Sequence, residues 1–328
     1  SILNDVIKSK RSLTPEMALL LENALGISAT YLMNIQTQYE LDCAKQSERV
    51  VLQTKMLEIW NILKDQVSIQ FFRKVNIVRG NIIEDVKRIF EVFNVDKLDD
   101  FLELKAKEME LSYYRKSDKV KTNPIDILSW KYYCYHLSKN DESKLCAFDK
   151  DADVNALTSE LNGAFRVNKN TVNVTKSILN KYGIRFLIVN KVGQVPVDGM
   201  SFWIDESPTI IITERIASID NFAFTTLHEV GHVFKHLTPN GRAMINLVEE
   251  KKSIEESEAD EFALNAILPH TDWKRFMTRT RDVVPYKIAP HIKEEADKHN
   301  LNPQLLFGRY KHDIGIYKIK NFFETKIQ

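Results

Sequence analysis

Cysteine, glycine and proline are all scarce in this chain. Its 328 residues include three cysteines, ten glycines and nine prolines. Cys43, Cys134 and Cys146 are too few and too dispersed for a disulfide framework or a thiolate metal cluster, and they read as free thiols in a reducing compartment. So little glycine and proline excludes a collagen-like chain, a Pro-rich linker and a turn-dense all-β sandwich. No apolar run approaches the roughly 18 residues of a membrane-spanning helix, and no signal-peptide pattern opens the chain. A cytoplasmic protein is therefore expected, and the opening at Ser1 without a methionine reads as a processed or truncated form. A dominant charge sign is missing too. Lys plus Arg total 46 and Asp plus Glu 45, a net charge of +1, so no global field draws the protein onto nucleic acid or a membrane.

What is present is a soluble-type composition, 44% apolar and 28% charged, long enough for two domains with a connector. Residues 1–45 read as three short helices. Ile2, Leu3, Val6 and Ile7 recur at helical spacing; Thr14 caps a helix begun by Pro15 and closed at Gly26; Ser28 caps the next. Residues 46–147 carry long amphipathic patterns, as in a helical connector. From about residue 148 a helix over 172–182 closes at Gly183. Three short strands follow at 184–189, 199–204 and 209–213, the last two around the turn at 205–208. Helices then return at about 218–237, 253–268 and 288–312. This order predicts a mostly helical α+β fold.

The sharpest chemical signal is His228-Glu229-Val230-Gly231-His232. On a helix, positions i and i+4 lie about 40° apart around the axis and about 6 Å apart along it, so both imidazoles reach one Zn²⁺ from one face. Glu229, one step on, points beside the ion as a general base. Gly231 in mid-helix costs about 1 kcal/mol against alanine, which close packing or a metal would explain. His236 lacks the pattern of a third ligand and reads as a packing or supporting histidine.

A third ligand is expected from the helix over 253–268, whose buried stripe is Ala259, Phe262, Ala263, Ala266 and Ile267. Glu256 falls near that stripe with Asp260 one turn on, where the aspartate can hold the second nitrogen of a metal-bound histidine. Glu258 is the rival ligand. Ser253 and Glu256 also fit a capping box, in which Glu256 only secures the helix start. The strand Gly199–Ile204 is the candidate edge for pairing with an extended substrate.

The run from His228 to His232, then Glu256-Ser-Glu-Ala-Asp260-Glu-Phe-Ala263 and Ile267-Leu-Pro269, resembles the ImmA/IrrE family of metallopeptidases. Phe202-Trp203, Pro208–Ile212 and Asn221–Thr225 are similar to the approach to that family's active-site helix. The front end, through Leu3–Ile7, Lys10-Arg11, Thr14–Ala18, Leu25-Gly26 and Gln36-x-x-Tyr39-x-Leu41, resembles the second half of a HigA/XRE-type helix-turn-helix. Tyr114–Ser117 and Trp130 resemble landmarks of the region that joins such modules.

The resemblance implies a partial helix-turn-helix over 1–45, a helical connector over 46–147 and a zincin-like metallopeptidase domain over 148–328, with a small sheet beside the HExxH helix. It implies Zn²⁺ on His228, His232 and Glu256, Glu229 as general base, and a regulatory protease that cleaves a repressor or antitoxin-type partner. DNA contact would come from the front helices, where Lys8, Lys10 and Arg11 make the one phosphate-sized patch in a segment not otherwise basic. An oligomer is compatible with this reading. The alternative is a DNA-binding transcription regulator or antitoxin whose peptidase-like half serves as a sensor or dimerisation module.

Overall fold

A computed structural model describes residues 2–8, 10–113, 123–190, 197–214, 216–239, 241, 243–247 and 253–328. Tyr114–Ser117, singled out by resemblance, lies outside the described residues. The chain divides into two compact units, residues 1–66 with 79–87 and residues 67–78 with 88–328.

The first unit opens with α1 (Ile2–Ile7), α2 (Pro15–Leu25), α3 (Ala29–Gln46) and α4 (Glu48–Leu63). The signals around α2 act as the residues dictate, whereas Ser28 stands at the start of α3 without a side-chain cap bond. Thr14 Oγ1 accepts from Met17 N–H at 3.4 Å, Pro15 takes the first helical position, and Gly26 closes α2 in the left-handed region at φ 70°. Lys10 and Arg11 are exposed. α5 (Ile69–Lys74), α6 (Ile82–Phe93), α7 (Leu98–Tyr113) and α8 (Pro124–Lys139) follow. Asn123 caps α8 through its side chain, and Trp130, buried on that helix, donates to the Asn190 carbonyl.

The rest of the second unit is the predicted α+β arrangement. α9 (Val154–Val167) and α10 (Thr171–Lys181) precede β1 (Arg185–Val189), β2 (Val197–Ile204) and β3 (Ser207–Thr213). α11 (Ile219–Lys235), β4 (Met244–Leu247), α12 (Ile254–Ile267), α13 (His270–Arg279), α14 (Ala289–Lys298) and α15 (Pro303–Asp313) complete the order. The sheet runs β1-β3-β2-β4, with β1 parallel to β3 and β2 antiparallel to both neighbours.

Two expectations need correction. The 199–204 strand is a free edge only in part: among the described residues Gly199, Met200 and Ser201 pair with both β3 and β4, Phe202, Trp203 and Ile204 pair with β3 alone, and the outer strands of the sheet are β1 and β4. The helix expected over 288–312 is two helices. Asn300 turns through the left-handed region at φ 59°, and Asn302 caps α15, which Pro303 begins.

Side chains alternate across the pleated strands. Phe186, Ile210 and Ile212 point into the main core with Phe222, Leu227 and Val230 of α11. On the other face, Phe202 meets Tyr135 of α8 edge-on, with ring centres 4.5 Å apart. Gly199 and Ser201, paired with Ile212 and Ile210, therefore share the α11 face.

α11 packs along α12, and Gly231 is the reason they approach so closely. A Cβ there would lie 3.0 Å from Cδ1 and 3.2 Å from Cβ of Phe262. Gly231→Ala gains about 1 kcal/mol of helix propensity but overpacks this contact by about 1–3 kcal/mol. Denaturant unfolding should show a net loss of stability, and adding Phe262→Leu should recover most of it.

Candidate metal centre

α11 holds His228 and His232 on one face with ring centres 4.7 Å apart, and their Nε2 atoms face each other at 3.0 Å. Glu256, in the first turn of α12, spans the pair. Its Oε2 lies 3.2 Å from Nε2 of His228 and its Oε1 3.2 Å from Nε2 of His232. The two histidines are fully buried, and Glu256 is 23% exposed.

The outer nitrogens are engaged as well. Nδ1 of His228 lies 2.9 Å from Oδ1 of Asp260. Nδ1 of His232 lies 3.0 Å from Nδ1 of His236, whose Nε2 is 2.9 Å from Oε2 of Glu258. One proton assignment satisfies this chain: each Nδ1 of the facing pair donates outward, and His236 donates onward to Glu258. Both Nε2 atoms then turn bare lone pairs toward the Glu256 carboxylate. Three lone-pair donors at one point repel unless a proton or a metal ion sits among them. Two imidazoles and a carboxylate are a donor set that zinc takes, so these residues fit such an ion.

The structure thus brings His228, His232 and Glu256 together and turns Glu258 to His236. Ser253 does cap α12, accepting from the Glu256 N–H at 3.3 Å. The Glu256 side chain, however, goes to the histidines.

Glu229 is wholly buried beside this group, and neither carboxylate oxygen has a hydrogen-bond partner. Burial pushes it up to about 8, against the pull of the charge on His228 and of the Ser201 hydroxyl, which faces it without closing a well-formed bond. Gly199 makes room for it, since a Cβ there would lie 2.5 Å from Oε1. Without a metal, burial works against the charged form of His228, but Asp260 and Glu256 outweigh it and raise the ring to about 10. Burial likewise opposes the Glu256 carboxylate, yet the two histidines lower it to about 2.

Sequence reasoning passed over Gly199 and the His236–Glu258 pairing. A glycine inside a strand was the available sign of the first, because it marks close approach. The second depends on how α11 and α12 pair, which no local spacing encodes.

Residues 180–299 match the Peptidase M78 family, by its description the IrrE N-terminal-like domain. The matched segment includes β1 to β4, α11 and α12, and supports a metallopeptidase-type function with a protein substrate. No curated protein matches the chain. Among the described residues no helix is long and apolar enough to cross a membrane.

The burial of Glu229 has a pH consequence. An unfolded glutamate releases its proton near 4.5 and this one near 8, so its contribution to stability is present below 4.5 and is lost as pH rises through 8. Metal-free Glu229→Gln should therefore gain melting temperature over metal-free wild type as pH rises from 5 to 9. A gap that does not widen with pH would contradict the raised value.

Proposed function

We propose that the chain is a zinc-dependent endopeptidase, and the single observation that carries this is the unpartnered, buried Glu229 carboxylate beside the His228–His232–Glu256 group. His228, His232 and Glu256 would hold the ion, with Asp260 and the His236–Glu258 pair keeping the two rings in the ligating tautomer. When bound, zinc supplies Lewis acidity and brings the pKa of water toward about 7. Glu229 takes the proton from the attacking water and delivers it to the leaving amine. Its burial among Gly199, Ser201 and Thr225 keeps bulk water from competing for that proton.

An extended substrate would add to the sheet at β4, the edge strand, whose backbone groups give register without reading side chains. The resemblance to ImmA/IrrE proteins supports a repressor or antitoxin-type partner as the natural substrate in the cytoplasm. Lys8, Lys10 and Arg11 at the front helices support DNA contact.

Two experiments test this reading. Zinc content by elemental analysis should be near one per chain in wild type, lost in His228→Ala and His232→Ala, and much lower in Glu256→Ala than in Glu258→Ala. If Glu258→Ala strips the metal and Glu256→Ala keeps it, the ligand assignment is wrong. In a cleavage time course on repressors encoded nearby, Glu229→Gln should keep zinc and fold while losing at least roughly 10²-fold in rate, the usual scale for a general base. If neither protein cleaves and both behave alike in the cell, the DNA-binding regulator with a sensing or dimerising peptidase-like half replaces the enzyme.

A further inference from the structure

A cavity of about 560 Å³ lies along the same helix pair, one turn and more from the histidines toward the N-terminus of α11. Its walls come from α11, α12, α15 and the segment after α15; β2, β4, Glu229, His232 and Glu256 contribute nothing to it. The one group it shares with the metal centre is Asp260, which holds Nδ1 of His228, the nitrogen turned away from Glu256. The cavity therefore backs onto the site from behind, away from the strand that would carry a peptide. Its volume falls within the roughly 300–1,000 Å³ of small-molecule sites.

The lining specifies a chemistry. Phe224, Leu264, Ile267 and Leu305 give it flat apolar walls. Asn221, Gln304 and Asn321 bring three carboxamides, which pair with the donor–acceptor edge of a heterocycle. Charge is balanced, with Asp220 and Asp260 against Arg309 and Lys311. Neither cation is spare for a phosphate: Arg309 donates to the carbonyls of Leu264 and Leu268, and Lys311 to Asn321. Gln304 Nε2 donates to Asp220 Oδ2 at 3.0 Å, yet Gln304 Oε1, Asp220 Oδ1 and Arg309 Nε have no partner. Gln304 and Arg309 are both buried. These three atoms are closed off within the wall, and the carboxamides that an occupant meets are those of Asn221 and Asn321, both exposed.

We propose that this cavity is a binding site for a neutral heteroaromatic small molecule of nucleobase or nucleoside size, separate from the peptide track. The occupant stacks between the aliphatic and Phe224 walls and presents its polar edge to the carboxamides. The proposal stands apart from the peptidase reading, and its test needs no proteolysis.

The experiment titrates the whole chain with adenine and adenosine and follows the methyl resonances of Leu264, Ile267 and Leu305. Saturable shifts at these methyls, with dissociation constants on the order of 1 mM or tighter, are expected. AMP should bind more weakly than adenosine, because no free cation meets its phosphate. Leu264→Trp should fill the space and weaken adenosine roughly tenfold or more. Asn221→Ala, at an exposed position, should weaken it several-fold and covers the case in which the tryptophan variant does not fold. Silence of the methyls toward both probes would overturn the proposal, as would AMP binding as tightly as adenosine. N-acetyl-phenylalaninamide binding more tightly than adenosine at the same methyls would make the cavity a substrate side-chain pocket instead.

Discussion

Everything at this centre depends on two imidazoles and one carboxylate meeting at a single point. That arrangement needs a positive charge, from a proton or a metal ion, among its lone pairs, and the fold holds it from outside. Asp260 and His236 fix the outer nitrogens, and the backbone of α12 delivers Glu256 across the pair. The closeness of α11 and α12 rests in turn on Gly231 against Phe262. The apolar rings of Phe222, Phe165 and Phe186, packed edge to face, root α11 in the core behind the site. A large apolar foundation is what allows a small, strained polar cluster to persist.

The parts of this site that obey a local period could be read in the sequence. The i, i+4 spacing of His228 and His232 and the neighbouring Glu229 follow from helix geometry alone. Glu256 and Asp260 were legible as a pair on one helix, but their meeting with His228 is tertiary. Glu258 could be separated from Glu256 only once His236 was seen to take it up. β4 escaped notice because four residues give too short an alternation to register. The break between α14 and α15 escaped because the apolar pattern runs on through it; Asn302-Pro303, a cap followed by a first-turn proline, was the overlooked sign. The cavity behind His228 had no sequence signature, since four distant segments build it.

The centre also divides labour between the two secondary structures that enclose it. α11 and α12 supply the candidate ligands and, with His236 just past the end of α11, the residues that orient them. The sheet supplies an absence, the missing side chain at Gly199, together with the hydroxyl of Ser201. Glu229 stands at the seam, rooted in α11 and aimed at the strand.

That seam ties the chemistry to the pairing of β2. Gly199 and Ser201 face α11 only because Gly199 lies opposite Ile212 and Ser201 opposite Ile210. A slip of one residue would present Met200 to Glu229 and bury a thioether where the carboxylate now sits. A misaligned sheet would thus have no room for the Glu229 carboxylate. Correct strand alignment is a precondition for the buried carboxylate, and the register of two strands decides whether the helix beside them can keep it.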